Sequence, residues 1–148
     1  MAIWFKQYSI DDVNKRGQNT LVSHVGIEVI ELGENFIKGR MPVDMRTKQP
    51  VGLLHGGASV VLAETLASTA GNLIVNPAEN YCVGLEINAN HLRSCTDGFV
   101  VGTSTPVHIG KTTQVWETKI HQDQHLVCIS RMTLAVLKKP AKPNAEKK

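Results

Sequence analysis

The sequence predicts an α+β domain in which an antiparallel sheet of about six strands curls around one long central helix. Three observations carry this. Only one segment, His55 to about Val75, is long enough and rich enough in Ala and Leu for a long helix. Four strand-like runs follow it, separated by tight turns. Two more runs precede it, and successive strands joined by short turns pair antiparallel.

The elements follow in order. Asp11-Asp12-Val13-Asn14-Lys15-Arg16 places acids first and bases last, and Gly17 stops it, as a short helix requires. Gly26–Leu32 and Phe36–Val43 read as strands around the turn Gly33-Glu34-Asn35. In the second, Ile37, Gly39, Met41 and Val43 share one face, and Pro42 marks an edge or a strand end. Asp44–Leu54 is an irregular loop. The helix from His55 is apolar or small on nearly every side, so it is expected to be buried all round. Its small residues would admit a sheet close to its backbone, and Asn76-Pro77 ends it. The last strands are Tyr81 to about Leu92, Phe99–Ile109, Thr112–Gln122 and Leu126–Leu137, with turns at Asp97-Gly98, Gly110-Lys111 and Asp123-Gln124.

The 148 residues suit one domain, expected over 1–137, with a solvated, disordered Lys-rich tail over 138–148. The formal charge of +3 comes from that tail: residues 1–137 hold 11 basic and 12 acidic side chains. The folded body therefore offers no basic patch for nucleic acid. Cys82, Cys95 and Cys128 form no CxxC pair and are read as reduced thiols. Val51–Val75 carries His55, Glu64 and several Gly, Ser and Thr, which makes it a poor membrane span, and the first residues show no signal peptide. The protein is expected in the cytoplasm. His24, His121 and His125 lack metal-ligand spacing, so neither a metal nor a cofactor is expected.

Gln49 to Leu92 contains no Lys or Arg, and its formal charges are Glu64, Glu79 and Glu86. Glu64 falls mid-helix without a basic neighbour, where burial disfavours the charged form. A carboxylate held at such a cost marks a catalytic acid–base or nucleophile, the alternative being a structural Glu on a helix face. His55-Gly56-Gly57 opens the helix, and glycines there leave backbone N–H groups free at the positive end of the macrodipole, a site for a carbonyl or oxyanion. Tight turning alone also explains such glycines. Val60, Val61 and Ser68 lie one turn from Glu64 and would share its pocket wall, with Ser68 holding a water or the carboxylate. Gln49, before Pro50, is placed to orient a carbonyl or water.

Gly56 and Glu64 are eight residues apart, about 12 Å along a helix. One helix cannot bring both to the same carbonyl, whereas two antiparallel copies can. The spacing predicts a homodimer with shared active sites.

Met41-Pro42-Val43-Asp44, Arg46-Thr47, Gln49-Pro50 and Gly52-Leu53-Leu54-His55-Gly56-Gly57-Ala58-Ser59 run into Leu62-Ala63-Glu64-Thr65. With Val83-Gly84-Leu85-Glu86-Ile87-Asn88-Ala89-Asn90-His91, they resemble the hotdog-fold acyl-CoA thioesterases, above all the branch acting on 1,4-dihydroxy-2-naphthoyl-CoA in menaquinone synthesis and its enterobactin-pathway sister. The resemblance covers about residues 3–137. It implies an acyl-CoA substrate, Glu64 as catalytic carboxylate, Gly56 polarising the thioester carbonyl, and Gln49, His55 and Ser68 assisting. It also implies CoA contacts in Asn90-His91-Leu92-Arg93 and in Val107-His108-Ile109-Gly110-Lys111-Thr112, with Arg93 and Lys111 on phosphates, and a homotetramer built from dimers. Ser94 stands where the enterobactin type carries proline, and Thr69 where an apolar pocket residue is expected. Two other uses of such a domain are a dehydratase, with His55 as acid–base, and a non-catalytic acyl-CoA-binding module.

Overall fold

The computed structural model describes residues 1–140. Two short helices, α1 (Ile10–Lys15) and α2 (Leu21–His24), precede β1 (Glu28–Leu32) and β2 (Ile37–Pro42). The long helix α3 (Gly56–Ile74) follows, then β3 (Asn80–His91), β4 (Phe99–Ile109), β5 (Thr113–Gln122) and β6 (His125–Lys138). The six strands form one antiparallel sheet in the order β1-β2-β4-β5-β6-β3. This is the hotdog arrangement expected from the sequence, with α3 packed against five of the strands, β2 to β6.

Local chemistry sets the boundaries. Ser9 caps α1 by accepting the Asp12 N–H, with Asp11 and Asp12 in the first turn and Lys15 in the last. The sequence reading did not anticipate α2. Thr20 caps it by accepting the Val22 N–H, while the Ser23 hydroxyl accepts the Thr20 N–H. Pro42 closes β2, which lies between β1 and β4 rather than at an edge. β6 runs one residue further than expected, and the Lys139 N–H donates to the Glu79 carbonyl at 2.7 Å. Residues 141–148, most of the expected tail, lie outside the described residues.

The helix is not buried all round. Leu62, Ala63, Leu66, Ala67, Ala70, Gly71 and Leu73 are buried against the sheet. Val61, Glu64, Thr65, Ser68, Thr69 and Asn72 form a second, half-buried stripe. A single sheet covers only one side of a helix, so an apolar circumference leaves a face over for something else. The close approach comes from the sheet as well as the helix: Gly39 pairs with Gly102, and Leu66 lies over both, its methyls 2.7 and 2.8 Å from where their β-carbons would stand. The core is centred on fully buried Trp116, whose indole N–H donates to Gln114 Oε1 at 2.9 Å.

β3 is an outer strand, paired only with β6. It bulges between Gly84 and Glu86 and leaves Tyr81, Val83 and Leu85 exposed. The three cysteines are free and buried, and burial pushes the Cys82 thiol up to about 11. No helix among the described residues is long and apolar enough to cross a membrane.

Candidate active site

Two clefts meet α3 at different heights. The first lies at its N-terminus. The loop entering it is held at both ends: Thr47 donates its hydroxyl to the Pro42 carbonyl at 2.7 Å, and the His55 N–H donates to the Thr47 carbonyl at 2.8 Å. Gln49 sits in a closed turn, its N–H donating to Leu53 and its carbonyl accepting from Gly52, whose φ of +83° favours glycine. His55 then caps α3, its Nδ1 accepting the Gly57 N–H at 2.8 Å and its carbonyl the Ala58 N–H at 2.9 Å. That leaves the Gly56 N–H without a partner among the described residues. Gln49, Gly56, Ser59, His91 and Arg93 line one cleft of about 310 Å³. His91 packs on Gly56, so that a β-carbon there would meet its Nε2 at 2.7 Å.

The second cleft holds Glu64. About 330 Å³ of space is lined by Glu64, Ser68 and Val61 of α3 and by Leu21 and Val22 of α2. The expected full desolvation is not found. Glu64 is half-buried, on the stripe that the sheet leaves uncovered, and Oε1 lies 3.0 Å from where a Gly84 β-carbon would stand. Among the described residues no donor bonds its carboxylate, which leaves both oxygens free for a substrate or a water. Ser68 shares the cavity but aims its hydroxyl at Met132 Sδ, 3.8 Å away, rather than at Glu64. Val61 lines the cavity as expected; Val60 does not.

The segments read as CoA contacts are split. His91 and Arg93 reach the Gly56 cleft, but strand alternation turns Asn90 to the opposite face of the sheet, beside Asn88, Glu117 and Arg131. His108, Gly110 and Lys111 lie at the β4–β5 hairpin, where the Gly110 N–H donates to the Thr113 carbonyl at 2.9 Å. That hairpin is at the other end of the sheet from Arg93, roughly 30 Å away along strands of this length. Arg93 and Lys111 of one chain therefore cannot hold the same diphosphate.

The sequence reading missed the contribution of α2. It also missed a third space of about 350 Å³ between α1–α2 and α3, lined by Val13, Ile27, Val29, Thr65, Thr69 and Arg16 among others. A four-residue helix without periodicity leaves little sequence signal, and Thr20–Ser23 is a weak capping pair.

Comparison with known proteins shows the family and agrees with the fold. The profile of the Thioesterase superfamily matches residues 51–129, from the Gln49 turn through α3 to β6. A Vibrio cholerae protein named as an esterase is 52% identical over 99% of this chain and 97% of its own length. The 1,4-dihydroxy-2-naphthoyl-CoA hydrolase of Escherichia coli is 46% identical over 91% of this chain and 99% of its own length. The crystal structure of a Haemophilus influenzae thioesterase superposes with a TM-score of 0.89 at 45% identity, covering 92% of this chain and 95% of that one. The matching profile and these relatives, on the same hotdog frame, show that the chain belongs to the thioesterase superfamily of thioester hydrolases.

Proposed function

We propose that the protein hydrolyses an aryl- or alkyl-CoA thioester to the free acid and CoA at sites shared between two subunits. The observation that carries this is the separation of the two clefts on α3: the unpaired Gly56 N–H opens into one and Glu64 into the other, eight residues along the helix. A reacting carbonyl needs the oxyanion donor and the attacking group each about 3 Å away, so the second must come from a partner helix. In the dimer, Gly56 of one subunit polarises the carbonyl, and Glu64 of the other activates water or attacks directly. Gln49 orients the thioester, and Arg93 meets CoA phosphate at the mouth of the Gly56 cleft. The open β3 edge, with Tyr81, Val83 and Leu85 exposed, is the surface through which two copies join. The Escherichia coli relative favours 1,4-dihydroxy-2-naphthoyl-CoA as the first substrate to try.

The test mixes two inactive variants, Glu64→Ala and Gly56→Pro, each checked for native circular dichroism. Neither alone should release thiol from an acyl-CoA. After subunit exchange, half the dimers are mixed, each with one intact site of two, so roughly a quarter of wild-type activity should return. No recovery after verified exchange, or an active monomer in sedimentation, rejects the shared site.

A further inference from the structure

The space between α1–α2 and α3 takes no part in the chemistry above, yet it adjoins the Glu64 cavity. It shares Val22, Thr65, Ser68 and Thr69 with the Glu64 cavity. Its floor is apolar: Val13, Val22, Ile27 and Val29. The two asparagines beside it are already spent. Asn14 bonds both the N–H and the carbonyl of Val29, and Asn72 bonds Ser68 and Cys82 backbone. Arg16 is not. Its guanidinium stacks over Tyr8, 5.5 Å from the ring centre, and Lys6 stands over the same ring at 5.4 Å. Among the described residues neither cation is in a salt bridge, and the neighbouring Asp12 carboxylate is taken by Lys15 and Ser9.

We propose that this cavity receives the acyl end of the substrate, and that Arg16 selects acyl groups carrying a negatively charged oxygen substituent remote from the thioester. The proposal rests on thioester cleavage at Glu64. With the carbonyl at Glu64, this adjoining space is open to the acyl group, and about 350 Å³ suits a small aromatic or branched acyl group. Valines cover its body. A charged substituent is repelled from the Glu64 end and attracted to the Arg16 end, where a planar guanidinium matches a carboxylate. Charge and shape thus set one orientation.

The experiment compares kcat/KM for benzoyl and 4-carboxybenzoyl thioesters, each carried on CoA and on N-acetylcysteamine. Wild type should prefer the carboxylated acyl group by roughly tenfold on both carriers. Arg16→Ala should abolish the preference, and Arg16→Lys should keep part of it. No preference in wild type overturns the proposal. So does an Arg16→Ala loss that is equal for both acyl groups and confined to CoA thioesters, which would assign Arg16 to the carrier's phosphates. Inactivity of wild type on all four thioesters overturns the proposal, and whether an alkyl-CoA is still cleaved then decides the thioesterase reading.

Discussion

The imidazole of His91 lies against Gly56, with Nε2 2.7 Å from the position a β-carbon would take there. The last residue of β3 therefore closes over the first residue of α3, and the helix-start N–H opens into a cleft walled by another element.

Gly56 and Gly71 stand on the same helix and should respond differently to alanine. At Gly56 the obstacle is the tip of an exposed, movable side chain. Gly56→Ala should change thermal stability little, while displacing His91 and lowering kcat/KM roughly tenfold. At Gly71 the new carbon runs into buried Leu134 and meets Gln114 Oε1 at 2.8 Å. Gly71→Ala should cost about 1–3 kcal/mol by overpacking. Paired melting curves and thiol-release kinetics distinguish the two.

Glu64→Gln keeps the shape of the side chain and removes the base or nucleophile. Turnover of an acyl-CoA should fall by roughly 10² or more, with the fold retained. Near-normal release of CoA thiol in this variant would discard Glu64 as the catalytic carboxylate.

His55 does structural work through Nδ1, which accepts the Gly57 N–H. Asparagine caps helices in the same way, so His55→Asn should hold stability within about 0.5 kcal/mol, while His55→Ala should lose about 1 kcal/mol. Chemical denaturation measures this. A dehydratase would instead need His55 as an acid–base, would act on 3-hydroxyacyl thioesters, and would lose all activity in the asparagine variant.

The loop before Gln49 has its own pH limit. Arg46 donates to both oxygens of Asp44 from its side chain and to Oδ1 from its backbone, holding that carboxyl down at about 2 against an ordinary 3.8. A carboxyl lowered in the folded state supports that state fully above 3.8 and loses its contribution as pH falls towards 2. An NMR titration of the Asp44 side chain should show a midpoint near 2. Arg46→Ala should move it back towards 3.8.

Much of this was legible from the residues. The strand runs, the Asn76-Pro77 stop and the Gly-Gly helix start placed six strands and α3 to within a few residues, because turn chemistry and periodicity are local. Glu64 and Gly56 stood out for the same reason: one is a charge in an apolar helix, the other an unprotected helix start. What escaped depends on partners distant in sequence. That His91 lies over Gly56 follows from β3 pairing with β6 beyond the bulge at Leu85, a register no local pattern encodes, and strand alternation then turns Asn90 away. That Arg93 and Lys111 lie at opposite ends follows from strand order. Burial of α3 was overstated because composition counts apolar residues around a helix without saying how many layers cover it.

Strand order also dictates when the domain can close during synthesis. β3 leaves the ribosome directly after α3, but its partner in the sheet is β6, whose residues are the last of the fold to be made. Until residues 125–138 emerge, the strand that carries Gly84 beside Glu64 and His91 over Gly56 has nothing to pair with in its own chain. The nascent protein can assemble β1, β2, β4 and β5 in succession, yet the Gly56 cleft stays unformed, and Glu64 lacks Gly84 beside it, until the final strand inserts between β5 and β3. A chain truncated within β6 should therefore lose its active site and its cooperative fold together, and expose an aggregation-prone strand while it waits.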